Sequence, residues 1–356
     1  MSENGARETS LAQVGRGEPE RRLVLVGGTE ATPSLGRHLL VCLDRSAAAE
    51  VCIAHARALA QAFGSRLTLL HVLPSSAQLG RHPVRSDALD WALERRDAEA
   101  YLRNVCADLG LDADVRIEVT QGPPAERIAA AAHLLDADLV VLASHGEPFA
   151  EVGHVGATVH RVLASTRTWM FVARPGSTAT TSPRRIVVPL DGSPRTESAL
   201  PVVAALATAH DAEVLLVHVV AEPTATALLQ SAEDLELARA IADRTAVTAE
   251  RYLARLRERR LHELRAVRTS VVRHPDVAQA LLESCANADL LVLTAHGASC
   301  SAQRSLGGIA SHLLEQARVP TLVLQDVRTS TTSSSRPPPP APHRFHSGVR
   351  PAEGGR

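Results

Sequence analysis

The fold is decided by a stretch that occurs twice, "DLVVLASHG" at 138–146 and "DLLVLTAHG" at 289–297. Each copy is a run of Val and Leu that ends in a His-Gly turn. A short, continuously apolar run of this kind is typical of a strand buried on both faces of a parallel sheet. The copies lie 151 residues apart, whereas solenoid repeats have periods of about 20 to 50 residues. The spacing therefore indicates a duplicated domain.

Two further segments repeat in the same order before this stretch. "HLLVCLDRS" starts at 38 and "RIVVPLDGS" at 185, while "RLTLLHVLP" starts at 66 and "EVLLVHVVA" at 213. Both pairs are 147 residues apart, so one small insertion in the second half accounts for the later spacing of 151. We predict domains at 37–175 and 184–326, a linker at 176–183, and disordered tails at 1–36 and 327–356.

Each half alternates short apolar runs with segments of helical periodicity, in the order β-α-β-α-β-α-β-α-β. Strands joined by crossover helices form a parallel, doubly wound sheet, so the predicted class is α/β with five parallel strands in each half. Sheets of this class bind ligands outside the carboxyl ends of their strands. Those ends are where functional residues are expected.

Composition narrows the class of protein. The chain has 356 residues, a formal net charge of -1 and 2% aromatic residues, which argues against nucleic acid or an anionic membrane as a partner. No apolar run reaches the roughly 18 residues of a membrane span. Five cysteines without CxxC spacing favour neither a disulfide framework nor a zinc site. We expect a cytoplasmic protein without a resident metal.

The predicted carboxyl ends carry matching residues in the two halves. Nine residues separate Gly146 from Gly156 and Gly297 from Gly307, although the residues between them differ. This spacing predicts a loop of fixed geometry that leads to a helix start. Glycine there lets backbone N–H groups approach a phosphate, and the helix dipole favours its negative charge.

In these residues the chain resembles the universal stress protein family, over about 37–175 and 184–326. The likeness consists of "LDRS" and "LDGS", the "LHV" and "VHV" strands, "ADLVVLASHG" and the closing strand of the second half. It implies an adenine nucleotide alpha hydrolase-like fold in each half. It also implies pairing through the last strands, at 168–173 and 320–325, which within one chain gives an internal pseudo-dimer.

Nucleotide-binding members of that family carry Gly-x2-Gly-x9-Gly-(Ser/Thr), and this chain departs from the pattern at both ends. Ala143 and Thr294 replace the first glycine, and Ala157 and Gly308 replace the hydroxyl residue. The branched Thr294 side chain should obstruct a ligand more than the Ala143 methyl. Each missing hydroxyl costs about 0.5 to 1.5 kcal/mol, or roughly tenfold in affinity.

The resemblance implies a set of nucleotide-contacting residues in each half. Asp44 and Asp191 would lie near the adenosine, and Val72 and Val219 would offer backbone contacts to adenine. The phosphate-lining positions would be Ala143, Gly146, Gly156 and Ala157 in the first copy, and Gly297, Gly307 and Gly308 in the second. The ligand would be ATP, with magnesium. We expect the first copy to be the better site, with Arg45 as its weak point.

Simpler interpretations stand beside these. Asp44 and Asp191 are equally typical of helix N-caps. The repeated His145 and His296 have no partners at ligand spacing, which favours a structural role in the turn.

The sequence contains no P-loop, no dinucleotide fingerprint, no HExxH and no nucleophile elbow, so we expect no enzyme, although slow ATP hydrolysis stays open. Two functions remain: a stress-response module that binds adenine nucleotide, and a protein-interaction module with degenerate clefts. The protein partner is unknown in both, and a homodimer of the whole chain is an open alternative.

Overall fold

The computed structural model describes most of both predicted domains. The described residues are 36–74, 88–108, 110, 115–146, 155–176, 181–223, 231–298 and 305–325. The predicted tails, apart from residue 36, and half of the predicted linker lie outside them. Both loops between the paired glycines lie largely outside as well, including Cys300.

Ten strands of the described residues form one sheet. In chain order they are β1 His38–Leu43, β2 Arg66–Leu73, β3 Arg116–Gln121, β4 Leu139–Ala143, β5 Trp169–Ala173, β6 Arg185–Pro189, β7 Glu213–Ala221, β8 Val267–His274, β9 Leu290–Thr294 and β10 Thr321–Leu324. The strand order is β3-β2-β1-β4-β5-β10-β9-β6-β7-β8. All pairs are parallel except β5 with β10. The predicted class, with five parallel strands in each half, is confirmed.

Helices cover both faces of this sheet. They are α1 Ala47–Phe63, α2 Ala88–Asp108, α3 Pro124–Leu134, α4 Ala157–Ser165, α5 Pro194–Glu197, α6 Leu200–His210, α7 Ala232–Arg260, α8 Val277–Ser284 and α9 Gly308–Gln316. Buried side chains of α1, α2, α6 and α7 pack in one core cluster that spans both halves. On the opposite face, α3 and α4 cover the first half and α8 and α9 cover the second.

Local signals in the sequence account for the ends of α1. Ser46 accepts a hydrogen bond from the Ala49 N–H at 3.0 Å and caps the helix start. Gly64 ends the helix with φ 64°, a left-handed conformation that glycine adopts without strain. The Ser46 cap places the carboxyl end of β1 directly before a helix start, and Gly64 ends the helix shortly before β2.

The two halves are joined through their last strands, as the sequence predicted. β5 and β10 pair antiparallel, with Leu322 opposite Phe171 and Val323 opposite Met170. The side chain after each strand then reaches the other half: Arg174 donates to the Leu314 carbonyl, and the Gln325 Nε2 lies 3.5 Å from the Leu163 carbonyl. The junction is therefore a pseudo-twofold internal interface.

A buried histidine beside this junction makes stability depend on pH. His55 of α1 packs against the Phe171 ring, with ring centroids 5.2 Å apart and the ring planes tilted by 43°, and burial lowers the pKa of His55. The neutral form therefore stabilises the fold above the unfolded pKa of about 6.5, and this contribution is lost as the pH falls below it.

Replacing His55 by valine, the residue found at the equivalent position 202, should reduce this loss. Urea unfolding at pH 7.5 and pH 5.5 should show that H55V loses less unfolding free energy on acidification than the unsubstituted chain. Replacement of the exposed His262 by valine is the control. An equal loss in H55V and the unsubstituted chain would contradict the assignment.

Candidate functional site

A cavity lies at the carboxyl ends of the strands in each half. The first has a volume of about 220 Å³ and is lined by all of the predicted first-copy residues except Ala157. The second has a volume of about 370 Å³ and is lined by every predicted second-copy residue, together with Thr294. We call them the first and the second cleft. The structure thus brings the sequence-predicted residues together in two separate places.

The aspartate after the first strand packs directly on the His-Gly turn in both halves. A Cβ atom added to Gly146 would lie 2.1 Å from the Asp44 Oδ2, and one added to Gly297 would lie 2.2 Å from the Asp191 Oδ2. No side chain fits at that distance. Contact with a carboxylate therefore requires glycine at both positions, a constraint that acts in the absence of any phosphate.

Hydrogen bonds within the same turn fix each carboxylate. The Ser46 N–H and hydroxyl donate to the Asp44 Oδ1 at 3.0 Å and 2.5 Å. Ser46 is itself the N-cap of α1, and Ser193 is the N-cap of α5. The capping alternative for the two aspartates is therefore corrected, because the serine caps the helix and the aspartate orients the serine.

Asp191 also accepts hydrogen bonds from outside its own turn. Its Oδ1 accepts from the Ser193 N–H and the Thr196 hydroxyl, each at 2.9 Å, and its Oδ2 accepts from the Ala298 N–H at 2.7 Å. Burial opposes ionisation of Asp191, but these hydrogen bonds outweigh it and lower its pKa. The carboxylate is thus a fixed negative charge that joins the β6–α5 turn to the turn after β9.

The residue after each aspartate has a positive φ angle, 68° at Arg45 and 85° at Gly192. Glycine adopts this conformation without cost, whereas a side chain with a Cβ is strained there. The first cleft therefore has backbone strain at the position where the second has none. The weak point expected at Arg45 has a structural basis.

The glycines that precede α4 and α9 do not direct their own amides into the clefts. The Gly156 N–H donates to the Ser144 carbonyl at 2.6 Å, and the Gly307 N–H donates to the Ala295 carbonyl at 2.8 Å. We expected the backbone N–H groups of this loop to approach a phosphate. The amides of these two glycines do not do so, because they close the loop instead. Donors for an anion are left to the first amides of α4 and α9, because the start of a helix leaves N–H groups without an intrahelical partner; in α4 the Val159 N–H already donates to the Gly156 carbonyl.

The relative size of the clefts differs from the steric expectation. The second cleft is the larger, although Thr294 stands where the first has Ala143. The Thr294 hydroxyl donates to the His296 carbonyl at 3.0 Å, within its own turn. The side chain is thus held by the loop from which it comes, which reduces the expected obstruction.

The repeated strand histidines have structural partners. The Nδ1 atoms of His71 and His218 lie 2.8 Å from the Leu43 and Leu190 carbonyls, one strand away. A carbonyl can only accept, so each Nδ1 carries a proton and donates it. Burial lowers the pKa of His71. These contacts make both residues satisfied histidines at the edge of the core.

Sequence reasoning missed several contributors to the clefts. The apolar wall opposite the glycines comes from α3 and α8, through Ile128 in the first cleft and Leu281 in the second. A Tyr–Glu contact that does not line the clefts also repeats: the Tyr101 hydroxyl donates to the Glu50 Oε1 at 3.0 Å, and Tyr252 faces Glu197 in the second half. The two Tyr–Glu pairs occupy matching positions in the two halves, so this repeat could have been found from the sequence.

Metal ligands are not grouped in the described part of the chain, which contains no set of three or more His, Cys, Asp or Glu side chains arranged to hold an ion. Cys42, Cys52, Cys106 and Cys285 are free thiols. Burial raises the pKa of Cys42 and of Cys285 to about 12. A reactive thiolate is not expected at these two positions.

Comparison with known proteins agrees with the geometry. The sequence pattern of the Universal stress protein family matches residues 36–174 and 183–325. The chain belongs to the universal stress protein family, as a tandem member with two such domains. Curated proteins gave no match to the chain.

Solved structures show the same tandem architecture. A universal stress protein from Archaeoglobus fulgidus is 17% identical, with a TM-score of 0.56, 82% of this chain covered and 97% of that chain. A putative universal stress protein from Pseudomonas aeruginosa is 13% identical, with a TM-score of 0.54 and 82% and 94% covered. At these identities the likeness concerns the fold.

Among the described helices of this tandem member, none has the length and apolar character needed to cross a bilayer.

The contact between aspartate and glycine makes a stability prediction. G297A should lower the unfolding free energy by about 1 to 3 kcal/mol, because the new methyl meets the Asp191 carboxylate. G308A should change it by less than about 0.5 kcal/mol, because nothing lies within 4 Å of a Cβ there. Urea unfolding of both variants measures the difference.

A double-mutant cycle identifies the cause. In a D191A background the same G297A change should cost less, because the opposing carboxylate is gone. Equal costs in the two backgrounds would mean that the methyl meets something other than Asp191.

Proposed function

We propose that this universal stress protein is a cytoplasmic stress-response module that binds an adenine nucleotide, ATP with magnesium, in at least one cleft. The observation that carries the proposal is the repeated construction of the clefts. In each, a glycine-bordered hollow at the carboxyl ends of parallel strands faces the first turn of a helix. Nucleotide occupancy would then change how the module contacts a protein partner.

The residues present fit such a ligand by their chemistry. The first turns of α4 and α9 offer backbone N–H groups and the positive end of a helix dipole to phosphates. The aliphatic walls from Ile128 and Leu281 suit the faces of a purine ring. Magnesium would be coordinated by the phosphates of the nucleotide, since the described residues offer it no cluster of carboxylates.

The sequence favoured the first copy, but from the geometry we expect the second cleft to bind more tightly. Its cavity of about 370 Å³ lies within the usual range for small-molecule sites, roughly 300 to 1,000 Å³, whereas the first, at about 220 Å³, lies below it. Gly192 also gives its aspartate turn an unstrained backbone. These features outweigh the obstruction expected from Thr294.

The alternative is a protein-interaction module that has lost nucleotide binding. It is favoured by the absence of both the first glycine and the hydroxyl residue from both copies. The enzymatic alternative, slow ATP hydrolysis, has less support, because among the described residues of the clefts none stands out as a general base. We propose that the chain is not an enzyme.

Restoring the missing hydroxyl tests the proposal in each cleft separately. G308S should raise ATP affinity about tenfold in the second cleft, and A157S should do the same in the first, because each hydroxyl adds a hydrogen bond to phosphate. Isothermal titration of nucleotide-stripped protein with ATP and magnesium measures the affinities. A164S, at the far end of α4, is the matched control.

The outcomes separate the two functions. Binding that tightens in G308S or A157S, but not in A164S, supports a nucleotide module with its phosphates at the helix starts. No heat at millimolar ATP, in the unsubstituted chain and in both serine variants, would favour the interaction module.

A further inference from the structure

We propose that the two clefts are energetically coupled through α9, and that Glu315 is the positioning residue that carries the coupling. The inference rests on the proposed nucleotide function and adds a form of regulation to it.

The helix α9 begins in the second cleft and ends beside the loop that leads to the first cleft. Its first residues, Gly308, Ile309 and Ala310, line the second cleft. Its last turn carries Glu315, whose Oε2 accepts a hydrogen bond from the Val155 N–H at 3.1 Å. Val155 directly precedes Gly156, the N-cap of α4 in the first cleft. Seven residues of helix, about 10 Å, therefore separate Gly308 from Glu315.

The amide that Glu315 binds faces the junction. Val155 is buried and does not line the first cleft, whereas Gly156 and Thr158 do. The Glu315 carboxylate thus binds the last residue of the first loop on the side away from the cleft. It does not occupy a backbone donor that lines the cleft. Its other oxygen, Oε1, pairs with the His160 Nε2 on α4, so the same side chain contacts both the loop and the helix that follows it.

The equivalent arrangement in the other direction is missing. The position in α4 that matches Glu315 is Ala164, and the residue that matches Val155 is Leu306. A methyl group accepts no hydrogen bond. The backbone contacts of the junction are paired between the halves, but this acid occurs on one side. Glu315 therefore connects the end of α9 to the loop of the first half, and Ala164 offers no such hydrogen bond to the second half.

A ligand in the second cleft would bind the first turn of α9 and restrict its motion. Glu315 would then hold Val155 in a narrower range, which lowers the ordering cost of a ligand in the first cleft. By thermodynamic reciprocity, a ligand in the first cleft raises the affinity of the second by the same factor. We expect positive coupling of about fivefold or more.

The first experiment needs no ligand. Amide hydrogen exchange on the full chain should be faster at Val155 and Gly156 in E315A than in the unsubstituted chain, and unchanged at Leu306. E315Q keeps an acceptor for the amide and should fall between them. E283A removes an acid from α8, where Glu283 contacts the Gln279 side chain, and is the matched control. Unchanged exchange at Val155 in E315A overturns the inference, whether or not nucleotide binds.

The second experiment measures the coupling with ATP and magnesium as the probe. G308E places an acid at the start of α9 and should block the second cleft, so that titration reports the first cleft by itself; A157E does the converse. Each cleft studied by itself should bind at least about fivefold more weakly than it does when its neighbour is filled. In the E315A background this difference should vanish.

The two proposals fail in different ways. Two clefts that bind ATP independently, or coupling that persists in E315A, overturn the role of Glu315 and leave nucleotide binding intact. If no variant binds ATP, the proposed function and the coupling fall together, and the exchange experiment still shows whether Glu315 holds the loop.

Discussion

The antiparallel pairing of β5 with β10 is the interaction on which the rest of the structure depends. Each half by itself would end in a short apolar strand with one side of its backbone unpaired, which is an aggregation hazard. Pairing satisfies these backbone groups and merges two five-stranded sheets into one of ten strands. It also brings α4 and α9 side by side across the junction, where Arg174 and Gln325 reach opposite helices.

Local patterns allowed much of the fold and part of the site to be predicted. Continuous Val and Leu runs indicated parallel strands, and their duplication gave two sheets with related ends. Strand ends in such a sheet converge at one edge, so Asp44, Val72 and Gly146 could be placed near one another from chain order. The pairing of the closing strands came from the resemblance to the family, and it agrees with the need to cover an apolar edge.

What could not be predicted depends on contacts between distant segments. Gly146 is separated by about a hundred residues from the carboxylate that excludes any side chain there. Nothing in the sequence shows that the Gly156 amide closes on Ser144 instead of facing a ligand. The cleft volumes follow from the combined placement of α3, α8 and the turns. The path of Glu315 to Val155 crosses between the halves, where sequence spacing carries no information.

The junction has a consequence for how the two halves can change over time. In a dimer of identical subunits, twofold symmetry repeats every substitution on both sides of the interface. Here both partners belong to one polypeptide, so a mutation alters one side and leaves the other as it was. Identical subunits could not maintain different residues at equivalent positions. The two halves do so at three pairs of equivalent positions: Arg174 and Gln325, Arg45 and Gly192, and Ala164 and Glu315. Because both domains belong to one chain, they can differ in sequence and can therefore take on different functions.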